Sequence, residues 1–209
     1  MKFVQFSTTL MLLCVLVAGC GNDTTSDDAA DNTNVAQEGS EGVNDAAASA
    51  AVSGLQEASA LRLALVTPDG LKDVTFSGQV SGASSGTSSY SGELTVTGGT
   101  ANFELTLTFD DFQASEDLSP ITGDVSLGIS LDVTSSNSGD FSFNFNGQVQ
   151  VLYGSQTYTL VMDYSTTGTI SGSTVTGTNS GTITVQNSNG NTLATCTVGG
   201  TVAEPTVDC

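Results

Sequence analysis

The sequence contains no histidine, no tryptophan and only three Lys and Arg against 22 Asp and Glu, for a formal net charge of −19. Without histidine, the chain has no imidazole to act as a general base or as a metal ligand. Nucleic acid is not expected as a partner, because affinity for phosphate needs a basic surface. These absences favour a protein that is not an enzyme, with no catalytic residues, no cofactor and no metal.

The first 19 residues predict a signal peptide. Met1-Lys2 provides a short basic start, an apolar run covers residues 10–18, and the small residue Gly19 precedes Cys20. A basic start followed by a short apolar region and small residues is typical of a secretory signal. The run is too short to span a bilayer, which takes about 20 apolar residues.

Val17-Ala18-Gly19-Cys20 resembles the lipobox of bacterial lipoproteins, in which the peptide is cut before the cysteine. The resemblance implies that Cys20 carries a diacylglycerol thioether and an acylated amino terminus, so that the partner of the chain is a membrane. Two or more acyl chains make a lasting anchor, whereas one binds only marginally. In enterobacterial lipoproteins an Asp after the cysteine retains the protein in the inner membrane. Gly21-Asn22 stands here instead, and the resemblance therefore implies the outer membrane.

Residues 20–50 predict a lipidated cysteine followed by a disordered acidic tether. Hydrophobic residues other than Ala are nearly absent, and no residue is basic. Such a segment buries too little apolar surface to offset its chain entropy, and its like charges extend it. The carboxylates of this segment are those of Asp23, Asp27, Asp28, Asp31, Glu38, Glu41 and Asp45.

Residues 51–209 predict one β domain. Val125, Leu127 and Ile129 alternate with polar residues, and similar alternation recurs along most of the segment. A period of two is typical of half-buried antiparallel sheet. The expected fold is therefore all-β, an antiparallel up-and-down meander of about ten strands that forms a barrel or a sandwich. Asn44-Asp45 could also cap one short N-terminal helix.

Turn signals such as Gly98-Gly99 and Asn189-Gly190 divide the domain into strands. Asn146-Gly147 is a further signal that could split the sixth strand into a hairpin. The predicted strands cover residues 61–67, 73–80, 88–97, 100–109, 123–134, 140–153, 156–164, 166–176, 180–187 and 191–198.

Two further groups of residues invite a chemical interpretation. Cys196 and Cys209 remain after Cys14 leaves with the signal and Cys20 is lipidated, and they predict a structural disulfide in an oxidising compartment. The segment DDFQASED clusters carboxylates that could bind Ca²⁺, but its spacing is not that of an EF-hand and a solvated acidic loop is the simpler interpretation. Those carboxylates belong to Asp110, Asp111, Glu116 and Asp117.

Three functions fit these patterns. The first is a lipid-anchored, non-enzymatic protein of the bacterial cell envelope with a structural or interaction role. The second is a carrier that encloses an apolar ligand in a small barrel. The third is a transmembrane barrel, although aromatic girdles are missing. Bulky strands between Tyr90 and Tyr164 and smaller final strands predict that opposite walls pack against each other, which favours a filled core over a carrier.

Overall fold

In a computed structural model, the chain is described over residues 27–64, 74–97, 100–135, 138–171 and 174–209. These ranges hold one helix and nine strands. The elements in chain order are α1 Asp27–Ala64, β1 Val74–Ser81, β2 Ser85–Thr97, β3 Thr100–Gln113, β4 Ile121–Ser135, β5 Ser138–Tyr153, β6 Gln156–Ser171, β7 Thr174–Gln186, β8 Thr192–Gly200 and β9 Pro205–Asp208.

The strands form a single antiparallel meander. Each strand pairs with the next along the chain, so the spatial order is the sequence order from β1 to β9. Within the described ranges β1 and β9 each have one strand neighbour, and the sheet is not closed. The predicted fold class, an all-β antiparallel meander, is confirmed.

The sheet has one apolar and one polar face. Along β3, the side chains of Leu105 and Leu107 are buried and those of Thr106 and Thr108 between them are exposed. The same alternation in the other strands collects nearly all large apolar side chains on one side, as the period of two predicts. That side faces α1, which contacts every strand.

Several predicted boundaries are wrong. Residues 61–64 end the helix instead of starting a strand, and 65–67 lie outside the described residues. Strand β6 continues past the predicted break at 165 to Ser171, because Thr166 continues the inward-facing row of Tyr164. Residues 174–176 of the predicted strand 166–176 instead begin β7, which also contains most of the predicted strand 180–187. Asn146-Gly147 makes no hairpin and continues β5. The short β9, residues PTVD, was not predicted, since it has too few residues to show alternation.

The predicted disorder of residues 22–50 is wrong from Asp27 onward. Asp27–Ala64 is a helix of 38 residues, and its middle is buried on several sides. The prediction of disorder gave no weight to Ala. Ala has a small side chain and Gly has none, so the helix can pack closely against the sheet, and most of the surface of its middle is shielded from water. The buried apolar residues of the helix are Val35, Ala36, Val43, Ala46, Ala47, Ala50 and Ala51.

The predicted cap at Asn44-Asp45 is also wrong, because the helix begins at Asp27 and both residues lie inside it.

Gly39 marks the closest approach of helix and sheet. A Cβ at this position would overlap Leu160 Cδ1 and lie 2.8 Å from Val151 Cγ2. Both partners are fully buried. At Gly42, one turn later, a Cβ would lie 3.4 Å from Ile121 Cδ1, an ordinary contact.

These two glycines provide a matched test of the enclosed helix. Ala is favoured over Gly inside a helix by about 1 kcal/mol, whereas overpacking a core costs about 1–3 kcal/mol. We expect Gly42→Ala to leave the free energy of unfolding unchanged or raise it, and Gly39→Ala to lower it. Urea denaturation of both variants measures the difference. Equal stabilities would show that α1 does not lie against Leu160 and Val151.

Candidate functional site

One polar contact joins the helix to the sheet within the apolar interior. The Tyr164 hydroxyl donates a hydrogen bond to Asn44 Oδ1 at 3.0 Å, and both residues are buried. The Tyr164 ring stacks on Phe145, with ring centroids 4.7 Å apart. Because a buried amide oxygen without a donor would be costly, this bond favours the placement of α1 that keeps Asn44 beside Tyr164.

Burial raises the pKa of Tyr164 well above its usual range, and the hydrogen bond to Asn44 opposes this shift only in part. Near neutral pH the phenol therefore keeps its proton, which it donates in the hydrogen bond to Asn44.

A second contact lies in the first third of the helix. The Glu38 carboxylate accepts hydrogen bonds from the Ser119 hydroxyl at 2.7 Å and from the Ser119 backbone N–H at 3.2 Å. Ser119 belongs to the connection between β3 and β4. Further along the same helix, desolvation raises the pKa of the Asp45 carboxyl above its usual value.

A polar chain holds the connection between β8 and β9. The Thr166 hydroxyl donates to Asn179 Oδ1 at 2.7 Å, and Asn179 Nδ2 donates to the Thr201 carbonyl at 3.1 Å. Thr166 and Asn179 are buried on the apolar face. Their donors and acceptors satisfy one another, which is the arrangement of a structural network.

Ser88 is different, because its hydroxyl is fully buried on β2 and has no hydrogen-bond partner. The residue faces Val80 and Phe109 in the neighbouring strands. A single hydroxyl among apolar side chains offers neither a charge nor a second polar group with which to hold a ligand.

The structure separates the acidic residues that the sequence grouped. Asp110 and Asp111 belong to β3, where the pairing with β4 shifts register and Asp111 has a φ of +47°. Asp111 accepts from the Thr122 hydroxyl at 3.3 Å. Glu116 and Asp117 lie exposed in the turn that follows. Across the described ranges, no three His, Cys, Asp or Glu side chains come together as a metal site would require.

The cysteine pair forms as predicted. The sulfur atoms of Cys196 and Cys209 lie 1.90 Å apart, across 13 residues of sequence. Cys196 is fully buried in β8, and Cys209 follows β9 at the last position. The bond therefore holds the short edge strand β9 onto the sheet.

The predicted lipidation site Cys20, with the rest of the predicted signal peptide, lies outside the described residues. Asn44, Tyr164, Glu38 and Gly39 were not predicted as contact residues. Nothing in the local sequence pattern distinguishes them. Asn44 and Glu38 lie 81 or more residues from their partners, Tyr164 and Ser119, and only the fold brings these residues together.

No family model, no curated protein and no solved structure matches this chain. Among the described residues, no helix combines the length and the apolar character needed to cross a membrane.

The buried phenol predicts a stability that depends on alkaline pH. The folded pKa of Tyr164 is raised, so its contribution is fully present below the unfolded pKa of about 10 and is lost as pH rises above it. We expect the free energy of unfolding to fall above about pH 10, and the fall to be smaller in Tyr164→Phe. Tyr90→Phe is the control, since it removes the hydroxyl of a second buried tyrosine, on β2. Identical pH profiles for wild type and Tyr164→Phe would contradict this assignment.

Proposed function

We propose that the protein is a lipid-anchored, non-enzymatic component of a bacterial cell envelope, with a structural or interaction role. The observation that carries the proposal is the sequence Val17-Ala18-Gly19-Cys20 at the end of a short apolar run. A diacylated or triacylated Cys20 would hold the chain on a membrane without any spanning segment. The outer membrane is the proposed location, since Gly21-Asn22 follows the cysteine.

The cysteine pair supports export. Disulfides persist in oxidising compartments such as the bacterial periplasm and the cell surface, and they are rare in the cytosol. The bond between Cys196 and Cys209 holds the edge strand β9 beside β8.

The polar face of the sheet supports a role in water. Exposed hydroxyls on neighbouring strands contact one another, as in Ser165 with Ser180 at 3.3 Å and Thr169 with Thr176 at 3.0 Å. Hydroxyl and carboxylate groups of this kind are solvated by water and not by lipid chains. The domain would therefore stand in the aqueous layer beside the membrane that holds its anchor.

The interior argues against the carrier alternative. A carried ligand needs a concave space lined by apolar groups. In the described structure that space holds α1, whose residues Val35, Val43 and Ala46 are fully buried against the sheet. The sequence predicts that opposite walls of the sheet pack against each other, whereas in the described residues the helix packs against every strand.

Cys20→Ser tests the anchor. Wild-type protein made in a bacterial host should incorporate labelled palmitate and partition into detergent, and Cys20→Ser should do neither. Cys14→Ser is the matched control, because Cys14 lies within the apolar run, before the proposed cleavage position at Cys20. A Cys20→Ser variant that still takes up label would make the proposed anchor wrong.

Fatty-acid binding tests the alternative. We expect the folded protein to show no saturable binding of a fluorescent fatty acid at micromolar concentration, because binding would require the helix to leave the sheet. Native mass spectrometry of protein purified from membranes should likewise show no lipid beyond the covalent one. Saturable binding by the folded protein would favour the carrier.

A further inference from the structure

We propose that one end of the sheet lies over the lipid headgroups and the other end points away from the membrane. This inference rests on the proposed anchor at Cys20. The near rim is defined by the connections 82–84, 114–120, 154–155 and 187–191. The far rim is defined by the opposite strand ends, which include Thr97, Thr100, Ser135, Ser138, Ser171 and Thr174.

The direction of α1 inside the sheet is fixed by three contacts. Glu38 binds Ser119, which belongs to the near rim. Gly39 lies against Val151 and Leu160, a few residues from the near-rim turn at 154–155. Asn44 lies deeper and meets Tyr164. The helix therefore enters at the near rim and runs toward the far rim.

The anchor is close to the start of the helix in sequence. Six residues, 21–26, separate Cys20 from Asp27, and the helix runs eleven residues further before it reaches Glu38 at the near rim. An extended chain advances at most about 3.6 Å per residue and a helix about 1.5 Å, so the anchor lies within about 25 Å of Asp27 and about 40 Å of Glu38. A tether that reached to residue 50, as the sequence alone predicts, would allow any orientation.

The far rim is much further away. Strand β6 has 16 residues. At about 3.3 Å per residue, and with a strand tilt of about 40°, the rims differ in height by about 40 Å. The short connection therefore favours orientations in which the near rim is next to the membrane.

Charge decides how close the near rim comes. It carries exposed Glu116 and Asp117, and Asp111 lies beside it. Anionic headgroups repel carboxylates, and this repulsion is screened beyond about 8 Å at physiological ionic strength. The near rim would therefore rest over the headgroup layer without entering it.

Two variants, each with one added cysteine near one end of β6, test the orientation. Ser155→Cys lies at the near rim and Ser171→Cys at the far rim, and both serines are exposed. Each lipidated protein is labelled with a membrane-impermeant donor, with Cys196 and Cys209 left as their disulfide. The labelled protein is reconstituted into vesicles of phosphatidylethanolamine and phosphatidylglycerol that contain a headgroup-labelled acceptor lipid.

We expect energy transfer from residue 155 to be about twofold or more higher than from residue 171, because their heights differ by about 40 Å. Insertion of 30 Gly and Ser residues after Asn22 should lower transfer from residue 155 and reduce the difference. Equal transfer from the two sites, or higher transfer from residue 171, would overturn the proposed orientation.

The two proposals fail differently. Mass spectrometry of the N-terminal peptide and vesicle flotation report lipidation before any transfer is measured. Protein without lipid on Cys20 would overturn the anchor and the orientation together. Lipidated protein that floats with vesicles but shows no excess transfer from residue 155 would overturn the orientation alone.

Discussion

The structure depends on the enclosure of one helix by one sheet. A single sheet with an apolar face must cover that face, and in the described ranges β1 and β9 do not join to close it on itself. Helix α1 covers it by contacting every strand. The fit requires a thin helix, which is why Gly39 lies against Val151 and Leu160 and why Ala occupies so many of the buried helical positions.

Very few basic residues are available to pair with the carboxylates of this chain. The position of α1 inside the sheet is set instead by hydrogen bonds with neutral groups. These are the bond from Tyr164 to Asn44 and the bonds that Glu38 accepts from Ser119. Each of these hydrogen bonds stabilises the fold, because without it a polar group would be removed from water and left without a hydrogen-bond partner. At the edge of the sheet, the disulfide between Cys196 and Cys209 holds β9 in position.

The enclosed helix also changes what the proposed anchor means. If residues 22–50 were disordered, lipidation would only restrict the domain to a layer beside the membrane. With Asp27 already in the helix, the same lipidation would also restrict its orientation. The interior would then serve the anchor and the fold together, which leaves the exposed polar face and the far rim for any interaction.

By itself the sequence determined the class of fold, because alternation of apolar and polar residues is local and each strand carries its own copy of it. It also predicted the cysteine pair, since Cys196 and Cys209 are the two cysteines that the proposed signal peptide and the proposed anchor leave over. The long helix, its place inside the sheet and the partners of Asn44 and Tyr164 were decided only in the tertiary structure. Alone, an acidic segment rich in Ala has too little apolar surface to fold, and it gains enough only when all nine strands surround it.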